Sequence, residues 1–248
     1  CKGVKPKYYF ISGSGNKKTF SKINLKKISN SLLEEQKKYD IKLCGGDTTF
    51  SKTLNFTFIF LGFSKKIIYR NNTKVKDDIY VTGNIGDSYI GLQILKKKIK
   101  FNKKEYNFFV NEFYKPNIQI KLTEKLLKFS NSSIDISDGL FDDLEKLINS
   151  QKLNYHINLD QIPISKFLQS LIKRSKFDKI KLVSNGDDYQ VLFTANKNKS
   201  RIIQKISKNL RVKITKIGEI LPSVQKSKII DENGNIIRLK DKGYIHKF

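Results

Sequence analysis

The sequence predicts an α+β fold, in which short strands alternate with amphipathic helices. Three observations carry this. Apolar residues recur with the two-residue period of a strand in Asn55-Phe56-Thr57-Phe58-Ile59-Phe60. They recur with helical spacing at Ile28, Leu32 and Leu33, opposite Glu34, Glu35, Lys37 and Lys38. The third observation is that the two patterns keep exchanging along 248 residues, a length that gives one large domain or two modest ones with a sizeable core.

Taken in order, Tyr8 to Ser14 reads as a strand, and Asn24 is expected to cap a helix running to Tyr39. Ile41 to Cys44 is a short strand that ends in the turn Gly45-Gly46-Asp47-Thr48-Thr49. Leu54 to Phe63 is a strand, and Lys65 to Tyr69 is expected to pair with it. The polar stretch Asn71 to Asp78 is the candidate linker, dividing the chain into domains 1–70 and 71–248. Ile79 to Thr82 opens the second domain as a strand, followed by Gly83-Asn84-Ile85-Gly86-Asp87-Ser88 and a helix to Lys97. Helices are predicted at Lys104 to Phe113 and, after Pro116, at Ile118 to Phe129. A strand, Ser132 to Ile136, runs into a helix from Asp138 to Asn149. Then come a strand at Tyr155 to Leu159, a helix at Ser165 to Arg174 and a strand at Tyr189 to Thr194. A helix at Lys199 to Lys208 and strands near Val212 to Ile220 and Ile236 to Leu239 complete the chain.

Composition narrows the function. The longest mostly apolar run, Phe56 to Phe63, has the length of a strand, so no membrane-spanning helix is expected. Cys1 and Cys44 show neither a disulfide framework nor metal-ligand spacing, which fits a reducing cytoplasm; Cys44 is expected to be a small core residue. The formal charge of +26 invites a nucleic-acid reading, but only five of the 49 basic residues are Arg. The lysines are spread from end to end amid abundant Asn, Ile and Phe, as a coding bias toward A and T would leave them. A solvated basic surface is therefore expected, not a nucleic-acid groove. The chain starts at Cys1 and contains no Met, so upstream residues are expected.

The chemistry centres on Ser133-Ile134-Asp135-Ile136-Ser137-Asp138-Gly139-Leu140. Alternate side chains of a strand share a face, so Asp135 and Ser137 project together and Asp138 can aim at the same point. Carboxylates, a hydroxyl and the N–H groups of a helix start can hold a hard cation and the phosphate it accompanies. The plain alternative is that Ser137 or Asp138 caps the helix. That leaves Asp135 unexplained, because a charge on an apolar strand is costly without a partner. Asp47, after two glycines, can hold a metal or merely mark a turn. Asp187-Asp188 precedes an apolar strand; adjacent carboxylates repel, so cations are expected nearby, with a polar loop as the alternative. Together the three clusters point to Mg²⁺ and polyphosphate. Neither a P-loop nor the protein-kinase motifs occur. His156 and His246 are isolated, and no nucleophile–base pair is visible, so direct transfer between bound substrates is inferred.

With these motifs in place, the chain resembles the thiamine-monophosphate kinases of the aminoimidazole ribonucleotide synthetase and selenophosphate synthetase superfamily. The resemblance runs from Gly3-Val4-Lys5-Pro6 through Gly45 to Thr49, Tyr80 to Gly83, Gly86-Asp87-Ser88 and Gly91-Leu92. It continues through Ile134 to Leu140, Gly186 to Tyr189 with Leu192-Phe193, and Lys242-Gly243-Tyr244 with His246. It implies a two-domain fold, with 1–70 the remainder of an incomplete N-terminal ATP-binding and dimerisation domain and 71–248 a C-terminal α/β domain. It implies ATP-dependent phosphorylation of thiamine monophosphate to thiamine diphosphate with Mg²⁺, by a cytoplasmic homodimer that binds neither nucleic acid nor membrane. By position, Asp47, Asp135 and Asp138 match metal ligands. Gly46, Asp47, Ser137 and Arg70 match ATP contacts, and Asp187 and Asp241 match substrate positions. The alternatives are another ATP-dependent enzyme of the superfamily with a different acceptor, a non-catalytic homologue, and a Lys-rich nucleic-acid-binding protein.

The chain also departs from the family. The family's Asp-rich metal-binding segments are expected upstream of Cys1, so the fragment alone is expected to be impaired. Asp187 stands where Glu is usual, Asn185 where Gly is common, and Asp241 where relatives often carry Trp. Tyr244 and Phe248 are the candidates to stack on the thiamine ring. Phe56, Phe58 and Phe60 suit a dimer interface or, equally simply, a buried core strand.

Overall fold

The structure, a computed structural model, describes residues 1–99, 101–174, 177–239 and 243, with the backbone alone for Asn149. Asp241, Lys242, Tyr244, His246 and Phe248 lie outside the described residues. The chain divides into two compact units: Val4 to Lys65, and Cys1 to Gly3 with Lys66 to Phe248.

The smaller unit is a three-stranded sheet with one helix: β1 (Pro6–Gly15), α1 (Lys22–Tyr39), β2 (Lys42–Phe50) and β3 (Asn55–Gly62). The strand order is β2-β1-β3, parallel in the first pair and antiparallel in the second. Ser21, not Asn24, caps α1: its hydroxyl accepts from the Asn24 amide at 3.4 Å, which places Asn24 inside the first turn. Asp40, in the left-handed conformation, closes the other end. The expected turn at Gly45 to Thr49 is instead the body of β2. Gly46 stands opposite Ile11, and a Cβ there would lie 1.8 Å from the Ile11 carbonyl oxygen. Its lack of a side chain is what lets β1 and β2 pair. Cys44 is exposed rather than buried, as is every residue of β2. Lys65 to Tyr69 forms no strand; the Ile68 amide bonds the Lys2 carbonyl, and the Ile68 side chain joins the larger unit's core.

In the larger unit the elements run β4 (Asp78–Thr82), α2 (Asp87–Leu95), α3 (Lys103–Tyr114), α4 (Thr123–Leu126), β5 (Ser130–Asp135) and α5 (Leu140–Ile148). They continue with β6 (Asn154–Asn158), α6 (Lys166–Arg174), α7 (Lys179–Val183), β7 (Val191–Ala195), α8 (Ser200–Leu210), β8 (Ile214–Leu221), β9 (Lys228–Ile230) and β10 (Ile236–Ile237). Seven strands form one sheet in the order β10-β9-β6-β8-β4-β7-β5, antiparallel except for β6 with β9. Both faces of its centre are covered, as the full burial of β4 records. Ile79 and Val81 meet Ile134, Phe141 and Leu144 on one side, while Tyr80 and Phe193 meet Leu122, Leu126 and Phe129 on the other. A third cluster joins Ile90, Phe109, Leu168 and Leu182 from the flanking helices.

Several elements differ from expectation. The helix predicted at Ile118 to Phe129 is a 3-10 turn followed by the single turn of α4. Residues 71–78 are built into the larger unit rather than linking units: the Asn71 amide bonds the Leu147 carbonyl, and the Thr73 and Thr194 hydroxyls pair at 3.2 Å. Periodicity missed α7 and β9, which are five and three residues long. Among the described residues, no helix is long and apolar enough to cross a membrane.

Candidate active site

The site is built where β5 turns into α5. That helix begins at Leu140, two residues later than Asp138, because Gly139 holds a φ of 140°. The amides of Ser137, Asp138 and Gly139 all donate to one oxygen, Oδ2 of Asp143, at 2.9, 2.9 and 3.1 Å. The helix-start amides expected to cradle a phosphate are therefore occupied by an internal carboxylate. Asp143 is 1% exposed; burial pushes its carboxyl up, and the three backbone donors pull it back.

One helical turn apart, Asp138 and Asp142 join Asp143, with carboxylate oxygens within 4.8 Å of one another. Lys146 reaches back along α5, as helical side chains do. Its Nζ lies 2.5 Å from Asp138 Oδ2, 2.5 Å from Asp142 Oδ2 and 3.3 Å from Asp143 Oδ1. Burial pulls the ammonium down, but hydrogen bonds to Asp138 and Asp142 outweigh that and hold it charged. Three hard oxygen donors at such separations suit a magnesium ion.

The loop before β7 is zipped onto this turn. Asp187 N–H donates to the Ser137 carbonyl, Tyr189 N–H to that of Ile136, and Ile136 N–H to that of Gln190, each at 2.9 Å. Asp187 and Tyr189 take left-handed φ values of 68° and 49°, which delays β7 to Val191. Gly186 makes the approach possible: a Cβ there would meet the Ser137 carbonyl oxygen at 1.9 Å. Burial and then the charge of Asp138 push the Asp187 carboxyl up. Burial, followed by the charges of Asp187, Asp135 and Asp138, raises the Tyr189 phenol.

The two adjacent acids part company. Asp188 is 4% exposed, and its oxygens accept from the Gly86 and Ser88 amides at 2.8 and 3.4 Å. It caps α2, whose own cap residue is Gly86 and supplies no side chain. Backbone amides therefore stabilise Asp188, in place of the expected cations. Beyond Asp135, the Lys2 ammonium is lowered by burial and by Arg70, while Asp135 opposes the shift. Gly243 packs against Asp142, and with Asn185, Ser184, Lys181, Arg238 and Tyr89 it borders a cleft of about 530 Å³.

Of the residues singled out from sequence, the larger unit brings together Asp135, Ser137, Asp138 and Asp187, with Arg70 acting on the same Lys2 as Asp135. Gly46 and Asp47 stand on β2 of the smaller unit, where the Asp47 carboxylate accepts from the Thr48 amide at 2.8 Å. Asp241 lies outside the described residues. Sequence reasoning missed Asp142, Asp143, Lys146 and Lys2. For Asp143 a signal existed: it falls on the apolar stripe of Leu140, Leu144 and Leu147, where an unpaired acid is costly.

Mixed sheets flanked by helices, with acids gathered at a strand-to-helix turn, make this an α+β protein. A scan against models of protein families found no match. The chain is 35% identical over 247 residues to the thiamine-monophosphate kinase of Buchnera aphidicola subsp. Acyrthosiphon pisum, covering 98% of this chain and 75% of that one. It belongs to the thiamine-monophosphate kinase family. Its fold matches a thiamine-monophosphate kinase from Stenotrophomonas maltophilia K279a with a TM-score of 0.83 at 23% identity, covering 95% of this chain and 74% of that one. It also matches AaThiL complexed with AMPPCP and TMP, with a TM-score of 0.82 at 22% identity over 99% of this chain and 75% of that one.

Proposed function

We propose that this protein transfers the terminal phosphoryl group of ATP to thiamine monophosphate, giving ADP and thiamine diphosphate. The observation that carries the reading is the docking of the Asp187 amide onto the Ser137 carbonyl, next to Asp138, within a family member whose 35% identical relative is a thiamine-monophosphate kinase. An acceptor phosphate with a second pKa of about 6 is already an anion at neutral pH. Its oxygen forms the new P–O bond to the γ-phosphorus, the β–γ bond breaks, and its electron pair leaves with ADP. No proton moves, which explains a site without a base.

By the family resemblance Asp135 and Asp138 would hold Mg²⁺, and the carboxylate oxygens of Asp142 and Asp143 beside Asp138 add the hard donors that such an ion takes. When bound, the metal neutralises phosphate oxygens that would otherwise repel. By the same resemblance Ser137 and Arg70 would contact ATP, and Asp187 would present a carboxylate to the cationic thiazolium. The neighbouring cleft has the volume of a small-molecule site.

Cytoplasmic residence and homodimerisation belong to the same proposal. Both cysteines are free thiols, and the aromatic row of β3 is solvent-facing: Phe56, Phe58 and Phe60 are 36%, 42% and 52% exposed. That exposure removes the buried-strand alternative. A Phe60→Asp variant that sediments as wild type would argue against this row as the dimer face.

The deciding experiment measures ADP release with thiamine monophosphate and Mg²⁺, using protein expressed with whatever its gene encodes ahead of Cys1. Turnover should require the acceptor and collapse in Asp138→Asn. ATP hydrolysis that ignores thiamine monophosphate but responds to another small acceptor would overturn the reading.

A further inference from the structure

We propose that Lys146 is a tethered cation which occupies the Asp138–Asp142 carboxylates and competes with the divalent metal for Asp138. The inference rests on the reading of Asp138 as a metal ligand. Three observations lead to it. The Lys146 ammonium sits 2.5 Å from both Asp138 and Asp142, and 3.3 Å from Asp143, as a small cation shared by three acids would. Asp143 is anchored by the three backbone amides on its other oxygen and lies farther from the ammonium, so the exchange falls chiefly on Asp138 and Asp142. Lys146 and these two acids are about one-third exposed, which leaves the ammonium room to withdraw along its flexible stem.

The physical consequence is a built-in placeholder. Without metal, Asp138, Asp142 and Asp143 would repel across less than 5 Å. Lys146 offsets that repulsion and holds the turn in register. A divalent ion that takes Asp138 must displace the ammonium, which stays on Asp142 at the favourable i,i+4 spacing. Each such partly exposed pair stabilises only weakly, so the competition lowers metal affinity several-fold without abolishing it. Lys146 is in these terms a positioning residue that sets the metal concentration at which the site fills.

The test is Mn²⁺ binding without nucleotide, followed by electron paramagnetic resonance and calorimetry, on wild type, Lys146→Met, Lys146→Arg and Asp138→Asn. Lys146→Met should bind Mn²⁺ about threefold to fivefold more tightly. Lys146→Arg, which keeps the charge, should stay within about twofold of wild type. A merely structural lysine gives the opposite sign, because loosening the turn weakens binding. Unchanged or weaker binding in Lys146→Met, while Asp138→Asn abolishes it, overturns the placeholder and leaves the metal reading standing. Mn²⁺ binding indifferent to Asp138→Asn overturns both. Should Lys146→Met unfold, Lys146→Gln and the direction of its Mn²⁺ shift decide the matter.

Discussion

Replacing Asp143 tests whether the turn is organised by its carboxylate. In Asp143→Ala the amides of Ser137, Asp138 and Gly139 lose their shared acceptor, and water reaches the position poorly because Asp143 is 1% exposed. A hydrogen bond to a charged group contributes about 1.5–3 kcal/mol, and a buried donor left unpaired costs about 1–3 kcal/mol. Three donors share one oxygen, so these figures do not add fully, and removing a desolvated carboxylate returns part of the loss. The expected cost is about 3–5 kcal/mol in urea unfolding monitored by circular dichroism. Asp143→Asn keeps an oxygen acceptor and sheds the charge that burial disfavours, so it should cost less than about 1.5 kcal/mol. Both variants should lose activity, since Asp138 and Asp187 are positioned through this turn. If Asp143→Ala costs under about 1 kcal/mol, or costs no more than Asp143→Asn, the three-amide clamp does not hold the site together.

Gly186→Ala should lower stability by about 2–4 kcal/mol and activity more than tenfold, because its Cβ would stand 1.9 Å from the Ser137 oxygen and unzip Asp187; unfolding and ADP-release assays read both. Asp87, buried and bonded by the Ser165 hydroxyl at 2.6 Å, is raised from 3.8 to about 7 by burial, with Glu112 adding to the shift and Lys213 opposing it. A raised folded pKa means stability held at low pH is lost as pH climbs from about 4 through 7, by up to about 4 kcal/mol at 1.36 kcal/mol per unit. Asp87→Asn should flatten that slope, and the urea midpoint at pH 5, 6 and 8 checks it; the buried Asp188 beside it contributes in the same direction. Removing metal with EDTA should weaken ATP binding at least tenfold by calorimetry, because the turn's amides are already occupied.

Much of this architecture was legible because local chemistry and tertiary structure agree. The alternating aromatics of β3 and the apolar stripe of α5 each name an element and the face it buries or presents. Asp135 stood out because charge between apolar Ile134 and Ile136 needs a reason, and Asp138 because it follows at the turn into the helix. Failures occurred where a distant partner decides the outcome. Gly45-Gly46-Asp47 carries turn residues, yet β1 lies so close that Gly46 serves strand pairing instead. Asp187 and Asp188 look equivalent in sequence, and only the uncapped start of α2, some hundred residues earlier, separates their roles. Lys146 carries no distinguishing sequence mark, since any of the many lysines two turns beyond an acid offers the same pattern.

The arrangement of charge also explains why a strongly basic protein keeps its chemistry in an acidic pocket. Within about a Debye length of the surface, the formal charge of +26 attracts polyanions such as nucleotides and phosphate esters. At the turn itself the sign reverses: Asp138, Asp142, Asp143 and Asp187 face Lys146 and, more remotely, Lys96. A bare polyphosphate arriving there would be repelled at contact, and the amides of Ser137, Asp138 and Gly139 already serve Asp143. Only a polyphosphate carrying divalent cations matches both fields, attracted at long range as an anion and accepted at short range through its metals. The clamp by Asp143 thus does more than stabilise a helix start. It takes up three amides that a phosphate could otherwise use, which is why the proposed reaction is expected to depend on a divalent ion.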